Sequence, residues 1–397
     1  MNATICKKIC LAGKNEIAVF GLRLLLQHVA KENLCVVCNA TDDGFNSWQP
    51  SLRKFAEQNN IAIITLEECY HIEGLVFLSL EYDRIITPEK FINASLYNIH
   101  FSNLPAYKGM YTSALPLLYD EKQAGVTLHH IDSGIDTGDI IDQILFPIEA
   151  SDTARDLYEK YTNKSKELLT SNLKKMLNGM VVSKPQSPIG STYFSKKAID
   201  YKNLKIDLQN TANQISNQIR AFTFPEYQVP KVHGYYVNSC KILMSRSGSK
   251  PGDLLKVSDL EIQIGSVDYD LALARDLNAE LFAAAFNNDG AKASFCLEYG
   301  VDMNNRNGRG WTPLIVASFN GSENVMKVLL ENGADINRPN FKGTTPLMYA
   351  MSHYENTTNR SAFDLLLRFG ANVDLRDYFG LTILEYAQKR NVVDLFN

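Results

Sequence analysis

Apolar and polar positions follow two rhythms along the first part of the chain, and together they predict a layered α/β domain. Ile5 to Ala12 is a nearly unbroken apolar run, the pattern of a strand buried on both faces, and Gly13-Lys14-Asn15 reads as the turn that ends it. Glu16 to Lys31 then carries apolar residues at helical spacing, and a second strand follows over Leu34 to Asn39. A helix over Leu52 to Gln58, strands over Ile61 to Thr65 and Gly74 to Ser79, and a helix over Ala154 to Met176 continue the series. Strands alternating with helices imply a Rossmann-like parallel sheet, in which ligands collect at the carboxyl ends of the strands. The Gly13 turn, the Asn39 to Trp48 loop and the segment around Asn98 are expected to open there.

Beyond this domain the pattern changes twice. Lys184-Pro-Gln-Ser-Pro-Ile-Gly-Ser-Thr192 has the composition of a linker. Leu204 to Ala221 looks helical, Gln228 to Met244 strand-rich, Ser245 to Gly252 a loop, and Leu254 to Ile264 a hairpin. From about Asn278 the chain repeats itself. Gly310-Trp-Thr-Pro-Leu, Gly343-Thr-Thr-Pro-Leu and Gly380-Leu-Thr-Ile-Leu recur at intervals of 33 and 37 residues, as do Gly300, Gly333 and Gly370. A period of about 33 with T-P-L and an alanine-ended helix is the ankyrin signature. The four extra residues fall within Ser352 to Arg360, where a longer inter-helix loop is expected. Three repeats are marginal alone and should lean on the rest of the chain. The expected organisation is an α/β domain over 1–200, a small strand-rich subdomain over 201–275 and all-α ankyrin repeats over 276–397.

Composition narrows the classes. At 397 residues, with 45% hydrophobic and 21% charged residues, the chain is an ordinary globular sequence too long for one core. A net charge of −4 and a pI near 6.0 argue against a dedicated nucleic-acid surface. The apolar stretch Ile17 to Ala30 is broken by Arg23, so neither a secretory signal nor a membrane span is expected, and a cytoplasmic protein is. Seven cysteines, odd in number and widely scattered, are expected to be reduced. Cys35 and Cys38 lie on a predicted strand, facing opposite ways, and read as core residues.

The chemistry concentrates in Asn98-Ile-His100 and Asp136-Thr-Gly-Asp139. At i and i+2 on an extended segment, Asn98 and His100 leave the same face and can converge on one atom. Asn98 is suited to donate to an oxygen becoming tetrahedral, and His100 to stabilise the oxyanion or exchange a proton. Asp136 can orient His100 and take a proton from an attacking amine, directly or through water. His129 and His130 face opposite ways on a predicted strand and read as one core or interface residue and one exposed. No metal-ligand spacing is present.

The run Asn98-Ile-His100-Phe-Ser102-Asn103-Leu104-Pro105, with Asp136-Thr-Gly-Asp-Ile140 beginning 36 residues after His100, resembles the folate-dependent formyltransferases. Tyr107-Lys-Gly109 and Gly125-Val-Thr127 also sit where that family carries its R-G and G-V-T-I segments. Asn103 departs from the Leu often found there. The resemblance covers residues 1 to about 245 and implies N10-formyltetrahydrofolate as formyl donor and a catalytic trio of Asn98, His100 and Asp136. It also implies a pterin held largely by backbone groups, here around Ser79, Leu80, Glu81 and Tyr82 and around Ile131, Asp132 and Gly134.

The acceptor side is read from several segments. Gly13, Lys14 and Asn15 at a helix start can cradle an anion, or Asn15 can simply cap that helix with Lys14 exposed. Trp48, Gln49 and Ser51 suit a sugar-binding wall, with a local hydrophobic plug as the alternative for Trp48. Lys196, Lys197 and Arg220 offer cations for a pyrophosphate, and Phe224 and Tyr227 offer a flat partner for a base, Tyr227 being the one chosen for stacking. The small subdomain resembles that of sugar formyltransferases, whose members are commonly dimeric through it, so a homodimer is expected. Aligned on their glycines, the repeats place Arg306 with Arg376 and Arg309 with Lys342, near Trp311 and Tyr378. These groups form either a protein-partner or stability module or a second nucleotide-sugar site.

The whole most resembles the dTDP-3-amino-3,6-dideoxyglucose N-formyltransferases that serve bacterial surface polysaccharide (O-antigen) synthesis, with the 4-amino sugar enzymes as the alternative. No nucleic-acid or membrane partner is expected. A non-catalytic ankyrin scaffold with a relic enzyme domain is the rival from another class, and the intact, correctly spaced trio counts against it. Acidity opposes aminoacyl-tRNA as acceptor, and a turn with one glycine opposes a purine precursor.

Overall fold

The computed structural model describes residues 7–396, so Ile5 and Cys6 of the expected first strand lie outside the described residues. Contacts divide the chain into two compact units, residues up to 207 with 213–223, and residues 208–212 with those from 224 onward.

The first unit runs β1 (Ile9–Gly13), α1 (Asn15–Leu25), β2 (Leu34–Cys38), α2 (Leu52–Gln58), β3 (Ala62–Ile63), α3 (Leu66–Tyr70), β4 (Val76–Leu80) and β5 (Ser95–His100). It continues with β6 (Lys108–Gly109), α4 (Leu115–Leu118), β7 (Gln123–His130), β8 (Ile140–Pro147), α5 (Ala154–Asn178), β9 (Tyr193–Phe194) and nearly all of α6 (Ala212–Phe222). Seven strands form one sheet in the order β3-β2-β1-β4-β5-β7-β8. The first five are parallel, as expected, while β7 and β8 return antiparallel. β1 and β4 are wholly buried, which is why they read as continuous apolar runs. One face packs Cys10, Cys35, Phe77 and Leu96 with Leu66 and Cys69 of α3. Cys69 Sγ stands 3.4 Å from Cys10 Sγ as a free thiol.

The chain order reverses between β1 and β4, so a crevice opens at their carboxyl ends, beside the end of β5. There Gly13 comes so close to β4 that a Cβ would meet the Leu80 carbonyl oxygen at 1.9 Å. α1 stops at Leu25 rather than Lys31, because Gln27 and His28 already bond three residues back, to Leu24 and Leu25. α5 begins on a Thr153–Asp156 capping box and ends at Gly179 in the left-handed conformation.

Two expectations in this unit are corrected. The segment 184–194 is not a plain linker but a strap. Lys184 bridges Ile140, the Tyr107 amide donates to Thr192 Oγ1 at 2.7 Å, and β9 pairs with β6. The helix predicted from Leu204 begins only at Ala212, whose amide is held by Asp268 Oδ1 at 2.7 Å.

The second unit holds a five-stranded antiparallel sheet, β10 (Lys231–Val232), β11 (Tyr235–Leu243), β12 (Leu254–Val257), β13 (Glu261–Ile264) and β14 (Asp270–Arg275), in the order β10-β11-β14-β13-β12. The repeats follow as α7 (Leu277–Asn287), α8 (Gly290–Glu298), α9 (Pro313–Asn320), α10 (Glu323–Glu331), α11 (Pro346–Thr357), α12 (Ser361–Arg368) and α13 (Ile383–Arg390). The T-P-L motif is a helix start in physical terms. Thr312 and Thr345 cap α9 and α11 with a proline just inside, and Thr382 caps α13 with Glu385 completing the capping box. The extra residues near Ser352 lengthen α11 to 12 residues against 8 in α9, so they add a helical turn and not the expected loop.

Candidate active site

β5 presents Asn98 and His100 on one face, and the antiparallel pairing with β7 sets His129 opposite Asn98 and Thr127 opposite His100. Thr127 is spent on the scaffold, donating to the Ser102 carbonyl at 2.7 Å and accepting the Leu104 amide. Asp136 comes from the loop after β7. It sits at φ +54°, a strained setting for a non-glycine residue, and the surroundings hold it there. Gln186 of the strap donates to the Asp136 and Gly138 carbonyls at 2.9 and 2.8 Å. Gly138 lies so near the His130 carbonyl that a Cβ would meet its oxygen at 1.9 Å.

The side chains converge. Asp136 Oδ2 lies 3.5 Å from His100 Nδ1 and accepts the Gly109 amide at 2.9 Å, while Oδ1 lies 3.4 Å from Asn98 Nδ2. His100 Nε2 meets the Tyr107 carbonyl at 2.9 Å, which leaves Nδ1 as the ring nitrogen facing the carboxylate. Burial alone would raise the Asp136 pKa. The facing His100 ring and the Gly109 amide are among the influences that outweigh it and hold the carboxyl well below the usual range. An ionised acceptor, an amide donor and an imidazole donor around one point suit an acyl transfer through a tetrahedral intermediate.

Two groups at this site escaped the sequence reading. Of His129 and His130, read as one core or interface residue and one exposed, His129 is the buried one, yet its Nε2 is 3.0 Å from Asn98 Nδ2. Finding it needs the β5–β7 register. Gln186 was hidden in the supposed linker.

The expected donor-binding segments are dispersed. A cavity of about 380 Å³ beside β5 is lined by Ile131 with Pro88, Phe91, Leu96 and His130. Ser79 and Leu80 are buried in β4 and do not line it, and the Leu80 carbonyl accepts the Lys14 amide. Tyr82 is half-buried. Asp132 is engaged in folding its own loop, accepting the Gly134 amide at 3.1 Å and the Thr137 hydroxyl at 2.6 Å.

At the crevice, Asn15 does not cap α1. Its Nδ2 donates to Glu81 Oε2 at 3.2 Å and approaches the Tyr158 hydroxyl at 3.3 Å, and that hydroxyl also donates to Glu81. Glu81 keeps some surface, but burial is the largest influence on its carboxyl and pushes the pKa up to about 7. The Asn15 hydrogen bond, the Lys14 charge and the Tyr158 hydroxyl oppose that rise. Trp48 packs edge-on to Tyr158 with Arg155 over its ring. Gln49 accepts the Glu16 amide at 3.0 Å, next to the proposed anion cradle, whose Lys14 amide already donates to the Leu80 carbonyl at 3.3 Å. Ser51 is likewise engaged, capping α2 and bonding Asp42.

Arg220 holds the 149–152 turn through the Asp152 and Glu149 carbonyls, at 2.8 and 3.4 Å, and bonds Asn217. That corrects its reading as a pyrophosphate ligand. Lys196 and Lys197 are exposed. In the second unit Phe224 is buried, whereas Tyr227 is 65% exposed with its ring 4.8 Å from Phe224.

Among the repeats, Arg376 is paired with Glu385 at 2.8 Å and so leaves the expected cationic edge. Trp311 packs on Tyr349 and Phe319 with Arg309 over its ring, and Tyr378 is exposed. Arg306 lies over Phe341 and donates to the Pro339 carbonyl, and the buried Nε atoms of Arg306 and Arg338 lack a hydrogen-bond partner. Lys342 bonds the Tyr378 amide through its carbonyl. No three His, Cys, Asp or Glu side chains among the described residues are placed to hold a metal.

Comparison with known proteins fits this geometry. Residues 50–173 match the Formyl transferase family and residues 281–377 match ankyrin repeats in three copies. The chain is 27% identical over 230 residues to a methionyl-tRNA formyltransferase of Coxiella burnetii, covering 54% of this chain and 72% of that protein. WlaRD, a sugar 3N-formyl transferase solved with dTDP and 5-N-formyl-THF, superposes with a TM-score of 0.64 at 42% identity, over 68% of this chain and 98% of its own. The N-formyltransferase of Helicobacter canadensis, solved with folinic acid and dTDP-3-aminofucose, has a TM-score of 0.64 at 41% identity, over 68% of this chain and all of its own. On these likenesses, the chain belongs to the sugar N-formyltransferases.

Proposed function

We propose that this protein moves a formyl group from N10-formyltetrahydrofolate to the 3-amine of a dTDP-linked amino-dideoxyhexose, dTDP-3-amino-3,6-dideoxyglucose being the assigned substrate. The convergence of Asn98 and His100 on the Asp136 carboxylate, at 3.4 and 3.5 Å, carries the reading. The unprotonated amine attacks the formyl carbon. Asn98 Nδ2 and the Nδ1–H of a doubly protonated His100 ring donate to the developing oxyanion, and Asp136 takes the amine proton. When the intermediate collapses, the C–N10 bond breaks and the proton returns to N10, releasing tetrahydrofolate. The two relatives above 40% identity, described with a 3N-transfer activity and a dTDP-3-amino sugar, favour the C3 amine over C4.

On this reading the formyltransferase domain covers 1–200, the strand-rich subdomain 201–275 and the repeats 276–397. The protein works as a homodimer in the cytoplasm, where free thiols persist, and supplies a formylated sugar for O-antigen. Within the first unit, Trp48 and the Glu81 cluster wall the sugar. The repeats serve as a stability or partner module. A second reading, a nucleotide-sugar site on Arg306, Arg309, Trp311, Lys342 and Tyr378, is favoured by the unpartnered Nε atoms of Arg306 and Arg338. Trp311→Ala with reduced nucleotide-sugar stoichiometry by calorimetry supports it, and unchanged stoichiometry removes it.

The test is a competition assay. Given formyltetrahydrofolate and an equimolar panel of dTDP-linked 3-amino and 4-amino sugars, the protein should formylate the 3-amino-3,6-dideoxyglucose derivative with the highest kcat/KM. Preference for a 4-amino sugar overturns the assignment.

A further inference from the structure

Asn98 has to present its nitrogen, not its oxygen, to a developing oxyanion. The two ends of an amide are nearly the same size, so shape alone does not choose. If the amide flips, a carbonyl oxygen faces negative charge and the donor is lost. Something beside Asn98 has to fix its orientation through the whole reaction. Asp136 Oδ1, 3.4 Å away, favours the nitrogen while ionised. That hold weakens when the carboxylate takes the amine proton.

We infer that neutral His129, protonated on Nδ1, is a positioning residue that locks the Asn98 amide with its nitrogen toward the reacting atoms. The geometry is closed at both ring nitrogens. Nδ1 stands 2.7 Å from the His130 carbonyl oxygen, which only accepts, so Nδ1 carries the hydrogen. Nε2 is then a lone pair, and it faces Asn98 Nδ2 at 3.0 Å, which only donates. One Asn98 hydrogen is thereby committed to His129. The other points along the longer contact to Asp136 and is free to be redirected to the formyl oxygen. A charged His129 would put an N–H against the Asn98 NH2, with Asp136 at 3.7 Å as its alternative partner. The shorter approach to the amide selects the neutral ring. His129 is 2% exposed, so it reaches no substrate and acts only through Asn98. Strand pairing makes the contact durable, since His129 lies directly across from Asn98 in the β5–β7 ladder.

Two substitutions separate this role from simple core filling. In His129→Gln the side-chain oxygen can occupy the Nε2 position and accept from Asn98. In His129→Asn the shorter amide can still donate to the His130 carbonyl but nothing reaches Asn98. With formyltetrahydrofolate and the dTDP-3-amino sugar, H129Q should keep kcat within about threefold of wild type. H129N should lose on the order of 10²-fold, the scale of one oxyanion donor, with both KM values within about threefold. In an Asn98→Ala background H129N should add little, because the residue it positions is gone. Equal kcat for H129Q and H129N overturns the inference.

A measurement on the unaltered protein guards against variants that misfold. With ¹⁵N-histidine labelling, the resonance absent from H129Q should be pyrrole-like at Nδ1 and pyridine-like at Nε2 at the pH of the assay. A charged ring or the opposite tautomer overturns the inference. The kinetic arm rests on the proposed sugar N-formyl transfer, and the two fail differently. No product from wild type rejects that reading while the tautomer still tests His129. Product from wild type with indistinguishable H129Q and H129N rejects only the role of His129.

Discussion

His100 and Asp136 meet ring to carboxylate, with Nδ1 3.5 Å from Oδ2, while the opposite ring nitrogen meets the Tyr107 carbonyl at 2.9 Å. A carbonyl only accepts, so Nε2 carries a hydrogen and Nδ1 is the position left for chemistry. Tyr107 can offer its carbonyl because it adopts φ +57° just before β6. The site is therefore held by backbone as much as by side chains.

Replacing Asp136 by Asn removes the proton acceptor and the charge facing His100 while keeping the shape. The kcat should fall by about 10²- to 10⁴-fold, the usual scale of a general base. Sugar-nucleotide affinity measured by calorimetry should change by no more than a few fold. A comparable loss of affinity would make Asp136 a binding group.

Gln186 holds the loop that carries Asp136 in its left-handed setting, through two carbonyls. Gln186→Ala should cost roughly 1–3 kcal/mol of stability and lower kcat by up to about 10²-fold, since a small displacement of Asp136 is enough. Denaturant unfolding and steady-state kinetics on the same preparation check both halves.

Glu81 gives a pH signature of known sign. Its folded pKa of about 7 lies above the roughly 4.3 of an unfolded Glu, so the native state binds the proton more tightly. Its contribution to stability is full below about pH 4.3 and is lost as pH rises to about 7. Glu81→Gln should leave stability near pH 4 unchanged and raise it at pH 8, by on the order of 1–3 kcal/mol. A constant difference across that range in thermal melts contradicts the account.

In the second unit, Arg275 of β14 and Glu280 of α7 form an ion pair with side chains 8% and 2% exposed. Arg275 also bonds the Ser258 carbonyl and lies over Tyr235 and Phe295. Glu280→Ala strands a buried guanidinium and should cost about 3–5 kcal/mol. Protease digestion should then release fragments from the sheet-to-repeat junction first.

How much of this was legible in sequence depends on whether the cause is local. Strand and helix alternation, the T-P-L caps and the spacing of Asn98, His100 and Asp136 are patterns within a short stretch or at a fixed offset. Partners set by register or by loop path are not. His129 enters the site because β7 runs antiparallel beside β5, which no run of residues near His129 states. Lys184 to Thr192 has a linker's composition, yet Gln186 and Thr192 tie it to the catalytic loops. Ser51 and Arg220 looked available because their residue types suit a ligand, and both are engaged by a helix cap and by carbonyls. Residue type advertises capacity, and the fold decides where it is spent.

The most direct test is the mass of the sugar nucleotide after incubation with N10-formyltetrahydrofolate and dTDP-3-amino-3,6-dideoxyglucose. The wild-type protein should yield a product heavier by one CO, and Asn98→Ala and Asp136→Asn at equal concentration should yield almost none while remaining folded. An unchanged mass with every amino sugar nucleotide offered, or full turnover by either variant, contradicts the account.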